Sequence, residues 1–317
     1  MADERGLAGT ISLSRSSAVQ LATAWLWNGV ASLGVRSLVI KGPIADELGL
    51  RPPRASSDVD LLVEPGGADE VIAFLQGAGW YERFAPSIPW VMEFHSRTFI
   101  HDGWPIDLDI HNHWPGFLRE KGEVFETLWA RRESHSMAGL VVDAPDKASM
   151  TLILALHSLR DPEREQSRRE LPLLVTTTLD ADAKVVSTDL LAVATSLGAD
   201  QTAGPFLRSL GLSPQHDAAA DEALLRWRLM TGSKVQTRAW LLALAEAPLR
   251  ARPRLLLTAI FPPATELRGQ HPDLAPGALG LLTGWTRRLI NGARDFAPSV
   301  RDILRYRLTR SNGPHRD

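Results

Sequence analysis

The 317-residue sequence contains no cysteine. This absence excludes disulfide bonds, zinc sites built from thiolates and thiol nucleophiles, and it fits an intracellular protein. The N-terminal segment has no apolar core of the kind that a secretory signal needs. No stretch reaches the roughly 18 uninterrupted apolar residues of a membrane span. We therefore expect a cytoplasmic protein without a membrane partner.

The sequence also lacks a strong charge of either sign, because its formal net charge is -2. A protein that mainly binds long nucleic acid usually has a strongly basic composition, so we expect no partner of that kind. With 44% hydrophobic and 23% charged residues the composition is that of an ordinary globular protein. The chain is long enough to bury a sizeable core.

The pattern of apolar residues changes along the chain. Before residue 145 it predicts a helix over 15–33, a strand from Ser37 to Ile40, a short helix, a strand over 58–64 and a helix over 67–80. Two further strands follow around a turn at Gly103. From about Ala144 onward, helical periodicity dominates. We therefore predict an α+β fold with a small mixed sheet in residues 1–145 and a mainly helical domain in residues 146–317.

Two carboxylates open the strand "DVDLLVE". Asp58 and Asp60 are one residue apart, so in a strand their side chains point the same way, about 7 Å apart along the chain. Like charges in this position repel unless a cation joins them. The pair indicates either a metal site or a solvated start of a strand.

A second acidic strand, "IDLDIHNH", alternates strictly. Asp107, Asp109 and His111 share one face, an arrangement that an amphipathic strand with one wet face also explains. If the two acidic strands are neighbours, however, three carboxylates gather on one surface. Such a group suits a pair of Mg²⁺ ions about 3.5–4 Å apart, and phosphoryl-type transfer needs such charge neutralisation more than a protein nucleophile.

The segments "VIKGPIADELGLRPPRASSDVDLLV" and "PIDLDIHNHW" resemble the uncharacterised nucleotidyltransferase family of the polymerase-β-like superfamily. The resemblance covers roughly residues 38–160. It implies a nucleotidyltransferase-like N-terminal domain that binds two Mg²⁺ ions, with Mn²⁺ as an alternative. Asp58 and Asp60 would then be metal ligands and catalytic residues. Asp109 would supply the third carboxylate, with Asp107 as a second candidate.

Four other residues are candidate nucleotide ligands. Lys41 is a candidate for a phosphate contact, and Gly42 would allow the backbone to approach closely. Arg54 has paired N–H donors that suit a phosphate, and Ser57 precedes the first metal ligand, as a serine does in the superfamily. Each has a structural alternative: a strand end before a turn, an exposed loop arginine, or a serine at a strand start. The superfamily's usual Gly-Ser opening is replaced here by Lys41-Gly42-Pro43, and Pro43 lacks a donor N–H.

Two histidines are candidate supporting residues. His111 shares the face of Asp109 and could bond a carboxylate or a phosphate. His157, in "TLILALHSL", is interpreted as packed against the first domain, with a place in the lining of an interdomain cleft as the alternative. The charge run "RDPEREQSRRE" is interpreted as a solvated helix end or loop, and a substrate-docking surface is the alternative.

The leading hypothesis is an Mg²⁺-dependent nucleotidyltransferase that moves a nucleoside monophosphate from an NTP, ATP first among them, to an acceptor with release of pyrophosphate. The acceptor is left open between a small molecule, a peptide and a protein. A glycosyltransferase with an Asp-x-Asp metal site is one alternative, although no nucleotide-binding βαβ unit is evident. A catalytically silent nucleotidyltransferase-like binding module is the other. Without metal the carboxylates repel, so we expect at least one to have a raised pKa or to pair with Arg54 or Lys41.

Overall fold

The computed structural model describes residues 13–83, 94–180, 183–213, 222–232, 235–271 and 273–311. Its strands are β1 (Ser37–Ile40), β2 (Asp58–Val63), β3 (Tyr81–Glu82), β4 (Ser96–Ile100), β5 (Asp107–His111), β6 (Arg132–Met137) and β7 (Leu140–Pro145). Helices α1 to α4 are Arg15–Ser32, Gly42–Glu47, Ala68–Gly77 and Lys121–Ala130. Helices α5 to α8 are Lys147–Arg160, Glu165–Asp180, Ala183–Ser196 and Gly204–Ser209. Helices α9 to α13 are Glu222–Leu229, Val235–Glu246, Arg252–Ile260, Ala264–Gln270 and Ala278–Ser311.

The predicted α+β class is confirmed. A five-stranded mixed sheet has the order β1-β2-β5-β4-β3, in which β2 and β5 are parallel and the other neighbours are antiparallel. β6 and β7 form a separate antiparallel hairpin. After residue 145 every regular element in the described part of the chain is helical. The division into domains at residues 145 and 146 stays a prediction.

The apolar face of the sheet is buried against α1 and α3. Leu108 and Ile110 of β5 are buried, whereas Asp107 and Asp109, which alternate with them, are half-buried. Helix α1 packs closely on α3 at Gly29, where a Cβ would lie 2.3 Å from the ring of Phe74. This arrangement leaves the opposite face, with the acidic side chains, directed toward α5.

Helix α5 connects the sheet to the helical part. Asp146 caps its N-terminus by accepting a hydrogen bond from the backbone N–H of Ser149, and it also pairs with Arg131. The apolar cluster of the sheet continues through α5 to Phe206 and Leu207 in α8. A smaller cluster joins α9, α10 and α13. None of the described helices is long and apolar enough to cross a membrane.

Several elements were not predicted. In the hairpin of β6 and β7, β6 is the polar sequence "RESHSM", and β3 has only two residues. The β6–β7 turn has positive φ at Ala138 and Gly139, as a tight hairpin turn requires. Helix α4 was also missed. All of these lie outside the two acidic strands, whose predicted positions the structure confirms.

Candidate active site

The parallel pairing of β2 and β5 brings the two acidic segments side by side. Asp60 is directly opposite Asp109 in the register, and Asp58 is opposite Asp107. Because side chains alternate along a strand, all four carboxylates lie on the same face of the sheet. Each strand was predicted separately from its own sequence. Because the two strands are neighbours, their two pairs of carboxylates form a single group.

Asp60 is the buried centre of this group, with only 3% of its surface exposed. Its Oδ1 lies 2.7 Å from Nζ of Lys41 and 2.9 Å from Nε2 of His111. Burial alone would raise the pKa of Asp60, but the charge of Lys41 and the hydrogen bond from His111 outweigh it and hold the pKa below its usual range. Asp60 is therefore an ionised carboxylate that two neighbours stabilise.

The pKa values of Asp58 and Asp109 are shifted in the opposite direction to that of Asp60. Burial and the charge of Asp60 raise the pKa of Asp58, and the carboxylate makes no hydrogen bond to any residue described. Burial and Asp60 likewise raise the pKa of Asp109, although Thr98 Oγ1 donates to its Oδ1 at 2.5 Å. The pairing of Asp60 with Lys41 and the raised pKa of both other carboxylates agree with the expected repulsion.

The donor set fits a divalent cation. Ligand atoms of Asp60, Asp109 and His111 lie within 4.8 Å of one another, and Asp58 extends the same face. Hard cations such as Mg²⁺ prefer carboxylate oxygens, and an imidazole in the set is equally compatible with Mn²⁺. Asp58, Asp60 and Asp109 repel one another, and such an ion would neutralise their excess negative charge.

The Lys41-Gly42 turn holds an unusual backbone conformation beside the carboxylates. Lys41 has φ +59° and Gly42 has φ +48°. A positive φ at a non-glycine residue is strained, by about 1–3 kcal/mol, and such strain occurs mainly at functional sites. A Cβ on Gly42 would meet nothing within 4 Å, so the space beside this turn is open to a ligand. Lys41 also lies over the ring of Trp114, with Nζ 5.4 Å from its centroid.

Arg51 and Arg54, in the loop between α2 and β2, bond to residues outside the group of four carboxylates. Arg51 donates to Asp46 and, from Nη2, to the carbonyl oxygen of Gly42 at 2.8 Å, so it fixes the Lys41-Gly42 turn. Arg54 is exposed and pairs with Glu170 of α6. Ser57 is exposed, and its carbonyl oxygen accepts from Asp107 N–H at 3.2 Å. Neither Arg54 nor Ser57 contacts the carboxylates through its side chain, and their role in nucleotide binding stays a prediction.

The structure separates the two candidates for the third carboxylate. Asp107 accepts a hydrogen bond from Arg83 at 2.7 Å, near the edge of the site. Asp109 lies opposite Asp60 and belongs to the group of possible metal ligands. Asp109 is therefore the better placed of the two.

An aromatic and imidazole layer lies below the carboxylates, toward α5. Trp114 is buried and contacts the ring of His111 on one side, with a centroid distance of 5.1 Å, and stacks on His157 on the other, at 6.2 Å. Burial and the nearby charges of Lys41 and Arg160 lower the pKa of His157 to about 3. His157 is thus neutral near pH 7, and its Nδ1 has no hydrogen-bond partner in the described structure.

A cavity of about 640 Å³ opens next to this layer. It lies between the loop 113–119, the end of α5, the start of α6 and helix α9. His95, Trp114, His157 and Arg160 belong to its lining and also adjoin the carboxylate group. His157 thus stacks on Trp114 and also belongs to the lining of this cavity, and its place in an interdomain cleft stays a prediction.

Because burial keeps His157 in its neutral form, we expect the stability of the protein to depend on pH. Because His157 has a pKa of about 3 when folded and near 6.5 when unfolded, the unfolded chain binds more protons as the pH falls below 6.5. We expect His157→Gln to reduce the loss of unfolding free energy between pH 6.5 and 5 by about 1 kcal/mol per pH unit. Urea unfolding of both proteins at several pH values measures this. Equal slopes would mean that His157 is solvated.

Two residues of the site were missed in the sequence. Arg160 was assigned to a solvated charge run, yet its guanidinium is partly buried and its Nη1 donates to Nε2 of His95 at 2.7 Å. Burial, Arg160 and the neighbouring histidines lower the pKa of His95 to about 2. An arginine at the last position of an apolar helix, directly after a candidate site histidine, was the available signal for Arg160. His95 had none, because it lies outside any periodic segment.

Comparisons with known proteins give structural similarity only. No family model matches the sequence, and no curated protein matches it. An antigenic nucleotidyltransferase-like protein from Paracoccidioides brasiliensis is 12% identical, with 64% of this chain and 96% of that chain covered and a TM-score of 0.38. The antibiotic-resistance factor ANT(2'')-Ia is 13% identical, with coverages of 59% and 96% and a TM-score of 0.39.

A third structure, the lincosamide antibiotic adenylyltransferase LnuA in its lincomycin-bound form, is 16% identical. It covers 50% of this chain and 96% of that chain, with a TM-score of 0.34. The chain is thus structurally similar to nucleotidyltransferase-like proteins, at a level that says nothing about what it acts on.

Proposed function

We propose that the protein is a divalent-metal-dependent nucleotidyltransferase that moves a nucleoside monophosphate from an NTP to an acceptor. The observation that carries the proposal is the placement of Asp60 opposite Asp109 on neighbouring parallel strands, with Asp58 on the same face. A single Asp-x-Asp pair serves many purposes, whereas three carboxylates on one face of neighbouring strands suit the requirement of two-metal transfer chemistry. Mg²⁺ is the expected ion and ATP the expected donor.

In this proposal Asp58, Asp60 and Asp109 hold the metal. When bound, divalent ions supply neutralisation of the triphosphate charge and polarise the attacking group. The acceptor hydroxyl attacks the α-phosphorus, the bond from that phosphorus to its bridging oxygen breaks, and pyrophosphate leaves. The hydroxyl proton goes to Asp109, the carboxylate that lies opposite Asp60 in the register.

Lys41 has two roles in the proposal. In the structure its ammonium neutralises Asp60 at 2.7 Å. With a divalent cation held by the carboxylates, the long flexible side chain of Lys41 would be available for a phosphate oxygen beside the open space at Gly42. The strained backbone of Lys41 holds the side chain close to both partners.

The alternatives receive different support. A glycosyltransferase is disfavoured because β1 and β2, the first two strands of the described residues, are antiparallel and so do not form a nucleotide-binding βαβ unit. The silent module is favoured by one observation, the ion pair of Lys41 with Asp60, since an ammonium that stayed there would occupy part of the metal site. This second candidate predicts no metal-dependent nucleotide binding.

Two labelled forms of ATP test the proposed reaction. We expect α-labelled ATP, with Mg²⁺ or Mn²⁺, to pass its label to an acceptor, or slowly to water as labelled AMP. The γ label should appear only in pyrophosphate. Transfer of the γ label to an acceptor with formation of ADP would contradict nucleotidyl transfer and indicate a kinase, and ADP together with labelled inorganic phosphate would indicate ATP hydrolysis. No reaction and no metal-dependent binding of a non-hydrolysable ATP analogue would favour the silent module.

A further inference from the structure

We propose that the cavity beside the carboxylates binds the acceptor, and that this acceptor is a small molecule with an anionic group, a hydroxyl group and an apolar ring. The inference rests on the proposed function, and it names the class of substrate that the proposed function leaves open. The cavity is the one defined above by the loop 113–119, α5, α6 and α9. Its volume of about 640 Å³ lies in the range of small-molecule sites.

The cavity has a strongly cationic lining. Five arginine and lysine residues line it, against a single carboxylate residue among those described: Arg119, Lys121, Arg160, Arg164 and Arg226 against Asp161. The whole sequence has a net charge of -2, so this concentration of positive charge is local. An electrostatic field of this sign attracts anions and disfavours a cationic acceptor.

Arg160 supplies positive charge at the inner end of the cavity. Its guanidinium donates to the neutral His95 and forms no ion pair with a described carboxylate. Burial and the repulsion of Arg164 lower the pKa of Arg160, while the charges of Asp60, the neighbouring Asp161 and Asp109 offset them only in part. A partly buried cation that no described carboxylate pairs with directly is stabilised further when an anionic ligand binds to it.

Arg119 and Arg164 are exposed residues of the cavity lining, and their guanidinium groups form no ion pair with a described residue. Other arginines of this chain do have such partners. Arg36 bonds Glu64 and Glu126, and Arg97 bonds Glu82. Because guanidinium groups bind phosphate and carboxylate groups through paired N–H donors, these two arginines are available to guide and hold an anion.

The other residues that line the cavity suit the apolar ring and the hydroxyl group of the proposed acceptor. Phe117, Trp227 and Met230 form apolar walls, which suit a ring. Oδ1 of Asp161 and Nδ1 of His157 are buried without hydrogen-bond partners among the described residues. A ligand hydroxyl can donate to either atom and relieve the cost of leaving it unpaired. Since the inner end of the cavity adjoins the carboxylate group through Trp114, a hydroxyl bound there is close to the proposed reaction centre.

The test uses phenyl phosphate as an anionic ring probe, with phenol and benzylamine as neutral and cationic probes, in calorimetry without nucleotide at about 150 mM salt. We expect phenyl phosphate to bind and the other two to bind much more weakly. Arg164→Gln should weaken phenyl phosphate binding about tenfold, because it removes a charge-assisted contact. The matched control is Arg168→Gln, one turn further along α6 and outside the cavity lining, and it should bind as the wild type does.

The outcomes separate this proposal from the proposed function. Equal binding of the three probes, or equal weakening in Arg164→Gln and Arg168→Gln, would overturn the anionic site. A repeat with Mg²⁺ and a saturating non-hydrolysable ATP analogue should leave phenyl phosphate binding intact. Displacement of the probe by the analogue would assign the cavity to the nucleotide and overturn the acceptor site. Failure of the analogue to bind at all would contradict only the proposed function, because the three-probe comparison contains no nucleotide.

Discussion

Replacing Asp109 with asparagine is expected to lower nucleotide transfer by about 100-fold or more, while most metal-dependent nucleotide binding remains. Asp109 is the carboxylate proposed to accept the proton of the attacking hydroxyl, and an amide cannot accept it. The hydrogen bond from Thr98 Oγ1 holds one oxygen of this carboxylate in place for the task. Labelled transfer measures the rate, and calorimetry with Mg²⁺ and a non-hydrolysable ATP analogue measures the binding.

The matched control for this prediction is Asp107→Asn. Asp107 lies two residues earlier on the same face of β5 and pairs with Arg83, so the control removes the same charge from the same strand. We expect Asp107→Asn to transfer at close to the wild-type rate. A large loss in Asp107→Asn with little loss in Asp109→Asn would exchange their assignments. Equal small losses in both would remove the third carboxylate from the proposed chemistry.

The acidic strands show what a sequence pattern can predict. Strand β1 has the predicted bounds, β2 begins at the predicted Asp58, and β5 lies within the predicted strand "WPIDLDIHNHW", because alternation of apolar and polar residues is a local property of a strand. Alternation also predicted which side chains share a face. It did not require β2 and β5 to be neighbours, and that adjacency was only a hypothesis until the register placed Asp60 opposite Asp109.

Contacts between distant segments could not be predicted in the same way. Lys41 and Asp60 pair because β1 and β2 are antiparallel neighbours, and Arg160 reaches His95 across 65 positions of sequence. The cavity lies between the loop 113–119 and α9. The periodicity of apolar residues within a segment does not predict which distant segments lie next to each other. The β6–β7 hairpin was missed because a polar strand such as "RESHSM" lacks the apolar alternation on which strand prediction depends.

The ion pair of Lys41 with Asp60 changes the expected effect of mutations at the site. From the sequence, each of the three carboxylates repels the others, so neutralising any of them should relieve strain. In the structure Asp60 has a pKa below its usual range, whereas Asp58 and Asp109 have raised values. The three aspartates are therefore not equivalent in the metal-free protein, and this difference can be measured without knowing any substrate.

Asp60→Asn is expected to lower the free energy of unfolding by about 3 kcal/mol in buffer with EDTA, and Asp58→Asn is expected to raise it. Asparagine at position 60 leaves the ammonium of Lys41 without its counter-ion in a site where Asp60 is 3% exposed. Asparagine at position 58 instead removes a charge that Asp60 and Asp109 repel. Urea unfolding followed by circular dichroism measures both, with Asp107→Asn as a control for the loss of one exposed pair, a change of at most about 1 kcal/mol.

If Asp60→Asn is as stable as the wild type, the Lys41–Asp60 pair does not form in solution and the site is more open to water than its geometry indicates. Added Mg²⁺ should stabilise the wild type more than either variant, because each variant has lost one charged oxygen ligand.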